Sequence, residues 1–315
     1  MQRILNFGSL NIDHVYTMPQ IVRPGQTLPS SSYQLFSGGK GANQSAALAH
    51  AGADVHHAGR IGEDGRHLLE GLTRLGVDTT WTQVDADEAT GHAIIQVEAD
   101  GGENAILLYP GANHAVDTEQ ITRTLSHFED NCILLLQNEI SNVDSLLTEG
   151  NERGFQVAFN PAPFTPEVTR YKGLADVSLL IVNESEAMGI AGIATGLSGL
   201  APSDMAPADI IGTLRRKVAD QTEVLLTLGA RGAILSRPDQ ALLEICAHHA
   251  GPVVDTTAAG DTFIGYFLAA RARGQSDQAA LHEASMAAAV CVTKTGAQDS
   301  IPSRSIVDAH LNKDQ

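Results

Sequence analysis

Cysteine is scarce in this chain. Cys132, Cys246 and Cys291 are odd in number and far apart, which argues against a disulfide framework or a thiolate metal site and for a reducing, cytoplasmic setting. Long apolar runs are missing too. None approaches the roughly 20 residues that span a bilayer, and the start, Met1 to Phe7, reads as a first strand without the longer apolar core of a secretory leader. Basic residues are few: 20 Lys and Arg against 37 Asp and Glu leave a formal net charge of −17. Such a field repels phosphate backbones and anionic lipid, which argues against nucleic acid or a membrane surface as partner. It leaves a nucleotide possible, because a local nest of N–H groups and Mg²⁺ can overcome a repulsive global field. Aromatic residues amount to only 4%, which weighs against a pocket that stacks an acceptor base. The adjacent pairs His56-His57 and His248-His249 do not converge on one ion, and no His-x-x-x-His pair joined to a carboxylate appears.

What is abundant points elsewhere. The 315 residues are 43% hydrophobic and include 30 glycines, a composition that suits an α/β enzyme with many tight strand–helix turns. Short apolar runs predict strands over 4–7, 133–137, 156–159, 179–182 and 224–227. Amphipathic stretches predict helices over 41–51, 65–75, 141–154 and 208–219. Their alternation predicts a doubly wound α/β fold, with a largely parallel sheet covered by helices on both faces. Segments 14–37 and 91–109, the latter carrying the turn Asp100-Gly101-Gly102-Glu103, are β-rich without intervening helices and predict a small separate sheet that covers the core as a lid. Residues 189–207, rich in Gly, Ala, Ser and Pro, predict a flexible loop. No linker divides the chain, so 1–315 reads as a single domain.

Five motifs carry chemistry. In Val254-Asp255-Thr256-Thr257-Ala258-Ala259-Gly260-Asp261-Thr262-Phe263, small residues run into an Asp ahead of an apolar helical segment. The N–H groups of Ala259, Gly260 and Asp261 would then lack intrahelical partners and face an anion. Asp261 stands at its mouth, placed to take a proton from a hydroxyl attacking a phosphoryl group; an isolated Gly-Asp-Thr would otherwise be an ordinary helix cap. Gly8-Ser9-Leu10-Asn11-Ile12-Asp13 leaves the first strand, and Asn11 and Asp13 would share one face if extended, offering donors and acceptors for sugar hydroxyls; an Asx turn is the plainer alternative. Ser37-Gly38-Gly39-Lys40-Gly41-Ala42-Asn43-Gln44 lets backbone approach a ligand, with Lys40 and Asn43 as polar contacts, and is neither Gly-x-Gly-x-x-Gly nor a Walker pattern. Asn183-Glu184-Ser185-Glu186 follows a strand and fits either a capping box or a pair facing phosphates and hydrated Mg²⁺. Leu226-Thr227-Leu228-Gly229-Ala230-Arg231-Gly232 offers a glycine ledge for a nucleotide.

In their order along the chain, these motifs resemble the ribokinase (PfkB-type) family of carbohydrate kinases, with Pro110-Gly111-Ala112-Asn113, Asn160-Pro161-Ala162-Pro163 and Lys294-Thr295-Gly296-Ala297-Gln298 as further matches. The resemblance implies Mg·ATP-dependent transfer of the γ-phosphoryl group to a primary sugar hydroxyl, foremost the 5-hydroxyl of ribose. Deoxyribose, another pentose, a ketohexose or a nucleoside are the alternative acceptors, and a catalytically silent sugar-binding protein is a rival of another class. By resemblance, Asp261 would be the catalytic base and Ala258, Ala259 and Gly260 the anion hole. Asn11, Asp13, Gly39, Lys40, Asn43 and Glu139 would hold the sugar. Asn183, Glu186, Thr227, Gly229 and Gly232 would line the ATP side, with Glu186 reaching Mg²⁺ through water. An activating K⁺ would be held by Asp255, the carbonyl of Thr257, Cys291, Lys294, Gly296 and Ser300. A homodimer formed through the lid is also implied. The chain departs from the pattern at Ser285, where relatives often carry a histidine near the adenine, and at Ile264, where Asn is frequent.

Overall fold

An apolar run such as Ile133-Leu134-Leu135-Leu136 has no polar face, so as a strand it must be covered on both sides. The structure, a computed structural model that describes residues 1–99, 103–128, 131–193 and 205–313, meets that demand with a doubly wound α/β core. In chain order the strands are β1 (Arg3–Phe7), β2 (Asn11–Met18), β3 (Ser32–Gly38), β4 (Asp54–Gly62), β5 (Asp78–Asp85), β6 (Gly91–Glu98), β7 (Asn104–Tyr109), β8 (Ile133–Gln137), β9 (Gln156–Asn160), β10 (Leu179–Asn183), β11 (Glu223–Thr227), β12 (Ala233–Ser236) and β13 (Leu243–Ile245). The α-helices among the described residues are α1 (Lys40–His50), α2 (Arg66–Arg74), α3 (Thr118–Leu125), α4 (Val143–Glu152), α5 (Glu184–Ala191), α6 (Pro207–Leu214), α7 (Ala259–Ala272), α8 (Asp277–Cys291) and α9 (Arg304–Leu311).

The main sheet runs β13-β12-β11-β10-β9-β8-β1-β4-β5, parallel from β11 to β5 and antiparallel at β12 and β13. Alternate side chains of each central strand enter two separate cores. Ile4, Ile133, Leu135, Ile181 and Leu225 pack on the face that holds Phe263, Phe267 and Ala287 of α7 and α8. Leu5, Phe7, Leu134, Leu136 and Leu226 pack on the face of Leu146, Ile190 and Ile210, from α4, α5 and α6. Burying both faces is the main driving force for this layer, worth about 1.5–3 kcal/mol for each large apolar side chain fully removed from water. The order of connection reverses between β1 and β8, since β1 leads on to β4 and β8 to β9. Adjacent loops diverge there and open a crevice at the carboxyl ends of the strands.

A second sheet of order β3-β2-β6-β7 stands apart from the core. Its strands β2 and β6 are parallel, and β3 and β7 flank them antiparallel. The small sheet drawn from segments 14–37 and 91–109 is therefore present, with β2 beginning earlier, at Asn11, and residues 19–31 outside any strand. The tip of the expected turn, Asp100 to Gly102, lies outside the described residues. So do 194–204 of the segment expected to be a loop, while its first residues, 189–191, end α5, and Pro207 opens α6.

Strand expectations stand within a residue at either end, and three of the four helices within two. The exception is 208–219, which stops at Leu214. There the side chain of Arg215, the C-cap, binds the carbonyl of Ser236 at 2.8 Å and that of Thr222, tying the helix end to β12.

Candidate active site

The crevice is built first by the seam between β1, β8 and α1. Gly39 caps α1 with φ at 88°, and a Cβ there would stand 3.0 Å from the backbone N of Asn11. Only glycine takes that backbone without strain, so α1 can start hard against the turn between β1 and β2. There the N–H of Ala42 donates to the carbonyl of Ser9 at 2.8 Å. Across the seam, the Ser9 hydroxyl donates to Glu139 Oε2 at 2.5 Å and the backbone N–H of Lys40 donates to the same oxygen at 2.8 Å. Burial pushes the Glu139 carboxyl above the usual range, with Lys40 pulling the other way.

Asn11 and Asp13 extend along β2 and share a face. The amide of Asn113 fixes Asn11, donating to its Oδ1 at 2.8 Å while clasping both the N–H and the carbonyl of Leu10. Asp13 is pushed up to about 7, by burial first and then by the neighbouring charge of Glu139. Lys40 answers these carboxylates: Asp261 above all, with Glu139 and Glu186, holds its ammonium firmly protonated despite burial.

Helix α7 supplies the other wall. Its cap, Ala258, is left-handed with φ at 58°, a conformation that a non-glycine residue adopts only under restraint. The N–H of Ala259 reaches the carbonyl of Thr256 at 3.3 Å and so is not unpaired as expected. No backbone acceptor among the described residues meets the N–H groups of Gly260 and Asp261, and Gly260 faces open space where a side chain would project. Asp261 is 7% exposed, with Oδ2 accepting from Asn43 at 3.1 Å and Oδ1 from Gln44 at 2.8 Å. Asn43 Oδ1, in contrast, is buried without a partner and remains open to a ligand hydroxyl.

A cleft of about 200 Å³ opens in front of α7, lined among others by Lys40, Asn183, Glu186, Thr227, Ala258 and Asp261. Asn183 and Glu186 form the capping box of α5, with bonds of 2.9 and 3.0 Å, so the structural role is real and also holds both side chains at the cleft. Burial raises Glu186 above the usual carboxylate range. Gly229 and Gly232 lie outside this lining, on the turn after β11, where Gly232 backs onto the carbonyl of Ile245. The residues expected around a monovalent cation gather in one neighbourhood. Asp255 Oδ1 accepts from the N–H and hydroxyl of Thr257, and Oδ2 accepts from the N–H of Gly296 at 3.0 Å. Cys291 meets the Thr257 carbonyl at 3.7 Å and the Ser300 hydroxyl at 3.1 Å. Lys294 is exposed beside this group, near His50. At the far edge, Ser285 accepts from the N–H of His248 at 3.1 Å and so braces the loop after β13.

Ser9, Gln44, Asn113 and Asn160 stand within the motifs without a role of their own, and Gln137 stands in none; all five are buried polar residues of the site. The available signal was a polar residue closing an apolar strand, as Gln137 and Asn160 do.

This arrangement, an acidic residue at a helix N-terminus across a cleft from a lysine, with Asn11 and Asp13 presented by the neighbouring small sheet, is that of a kinase of small hydroxylated molecules. The sequence profile of the pfkB family carbohydrate kinases matches residues 1–304, and the chain belongs to that family. Among curated relatives it is 35% identical to the ribokinase of Haemophilus influenzae over 301 residues, 94% of either chain. Among solved structures it is similar to the ribokinase of Cryptococcus neoformans var. grubii in complex with ADP (TM-score 0.85, 36% identity, 99% of this chain and all of the other). It also resembles the Arabidopsis thaliana ribokinase complexed with ribose and ATP (TM-score 0.82, 28% identity, 98% of each chain).

Proposed function

We propose that this carbohydrate kinase transfers the γ-phosphoryl group of ATP to the 5-hydroxyl of ribose. The observation that carries the reading is the placement of Asp261 at the N-terminus of α7, with Lys40 held protonated among Asp261, Glu139 and Glu186. The ribokinase identity of its relatives supports ribose as the acceptor.

Ribose would lie against Asn11, Asp13, Gly39, Asn43 and Glu139 with its 5-hydroxyl turned to Asp261. Asp261 takes the hydroxyl proton as the oxygen attacks the γ-phosphorus, and the bond from that phosphorus to the bridging oxygen breaks to release ADP. Lys40 and the anion hole of Ala258, Ala259 and Gly260, in which the Gly260 N–H has no backbone acceptor among the described residues, would meet the charge on the transferring group. The nucleotide extends past Asn183, Glu186 and Thr227 toward the turn of Gly229 and Gly232. Mg²⁺ bound with ATP would supply charge neutralisation, and Glu186, a buried carboxylate on the cleft wall, fits the hydrated ion's needs. Asp255, held ionised by its three donors, with the Thr257 carbonyl and the loop of Cys291, Lys294, Gly296 and Ser300, fits K⁺, an ion that prefers oxygen donors.

The small sheet acts as a lid, and its outer face fits a second copy of the chain. Tyr33, Leu35, Ile94, Leu107 and Tyr109 share that face by register and are all exposed. Its free cysteines suit a cytoplasmic enzyme. ADP release measured with Mg·ATP and K⁺ across ribose, 2-deoxyribose, fructose and adenosine tests the proposal. Ribose is expected to lead in kcat/KM, and Asp261→Asn to lose about 10²–10⁴-fold in turnover. Near-normal turnover in that variant overturns the assignment, and a preference for another acceptor overturns ribose.

A further inference from the structure

A polar residue in the middle of a doubly covered strand is costly unless every donor finds a partner. Asn6 occupies such a position in β1 and Gln137 closes the neighbouring strand β8, both at most 1% exposed. Their side chains open a continuous buried chain that runs beneath α1 to Asp261. The Gln137 amide donates to Asn6 Oδ1 at 2.9 Å and to Gln44 Oε1 at 2.7 Å. Gln44 in turn donates to Asn160 Oδ1 at 3.2 Å and to Asp261 Oδ1 at 2.8 Å. Asn6 donates to the Gly41 carbonyl at 2.7 Å and to the Ser45 hydroxyl at 2.8 Å, and Ser45 lies 2.8 Å from Nδ1 of His57. Asn160 closes the far side by donating to the carbonyl of Ile181 at 3.0 Å.

The amide NH₂ groups of Asn6, Gln137 and Gln44 each use both protons, which fixes the direction of the bonds among them. Gln44 must turn its nitrogen to Asp261 because its oxygen already accepts from Gln137. Side-chain amides orient but do not pass protons on, so the chain cannot be a proton relay. His57 at its end is pushed down to about 4 by burial and stays neutral. The function left to the chain is mechanical: it decides how the Asp261 carboxylate is rotated.

We propose that Gln44, locked by Gln137 and Asn6, is a positioning residue that holds the Asp261 carboxylate in the rotation from which it takes the sugar proton. This rests on Asp261 acting as the base. Gln44 is fully buried, outside the cleft lining, and engaged by Gln137, Asn160 and Asp261, so its loss acts through Asp261 and falls on turnover. A misplacement on the order of 1 Å at a reacting group costs about a hundredfold.

The test uses the full-length enzyme with Gln44→Met, which keeps volume and removes the donor, and Gln44→Glu, which keeps shape. For Gln44→Met, kcat is expected to fall about ten- to a hundredfold with the KM for ribose within about twofold. The carboxyl introduced by Gln44→Glu donates to Asp261 only when protonated. Asp261 is the titratable group it faces, Gln137 and Asn160 on β8 and β9 being neutral, with Lys40 the nearby cation. The rate of that variant relative to the unsubstituted enzyme is therefore expected to rise as pH falls, which no purely structural role produces. Unchanged kcat in Gln44→Met, or a pH-independent ratio in Gln44→Glu, overturns the positioning role while Asp261→Asn remains inactive. Near-normal turnover in Asp261→Asn instead overturns the reading beneath it.

Discussion

Gly38 has no side chain where the carboxylate of Asp13 lies: a Cβ built on it would stand 2.0 Å from Asp13 Oδ2. The last residue of β3 thus makes room for an acid on β2, and that acid faces the proposed sugar pocket. Gly38→Ala is expected to push Asp13 aside and raise the KM for ribose about tenfold or more, with a smaller change in kcat. Steady-state kinetics decide it, and an unchanged KM removes Asp13 from sugar binding.

Asp13 also gives the enzyme a pH signature. Its carboxyl is raised to about 7, so between the ordinary carboxylate range and pH 7 the folded protein keeps a proton that the unfolded chain has lost. Through this group stability is greatest in acid and declines as pH rises toward 7. Sugar affinity runs the opposite way, because the ionised carboxylate is the better acceptor for hydroxyls. Asp13→Asn is expected to weaken ribose binding, flatten its pH dependence near 7 and raise the melting temperature of the sugar-free protein above pH 7. Calorimetric titration and thermal melts on both sides of pH 7 check both signs.

The cation proposal has its own readout. Exchanging Na⁺ for K⁺ at constant ionic strength is expected to raise activity in the unsubstituted enzyme and to have no effect in Asp255→Asn. An enzyme indifferent to the exchange excludes the site at Asp255.

For the lid, Leu35→Glu combined with Leu107→Glu places charges on the exposed outer face. Sedimentation is expected to show a dimer for the unsubstituted chain and a monomer for the double variant. A monomer in both overturns the proposed contact.

Much of the fold is legible in the sequence because its signals are local. Runs such as Leu179 to Val182 have the length and composition of a strand buried on both faces, and glycines mark the starts of α1 and α7. The end of α6 was not legible: after Leu214 the backbone runs on only as short turns, fastened by the Arg215 tie to β12, a contact that no local pattern announces. The site divides the same way. Asp261 and Lys40 stand in motifs whose residue types state their chemistry, whereas Gln44, Asn6 and Gln137 look like ordinary amides until the fold joins them. Asn183 and Glu186 show a third case, in which one spacing serves the helix cap and the cleft together.

Asp261 and the two amides that grip it are 218 and 217 residues apart in the chain. During synthesis the ribosome must therefore deliver almost the whole protein before the carboxylate can meet its partners. Up to that moment a nascent chain can display the β1–α1 half of the pocket with nothing across from it to activate a hydroxyl. With Asp261 as the proposed base, phosphoryl transfer would await this late assembly of distant segments.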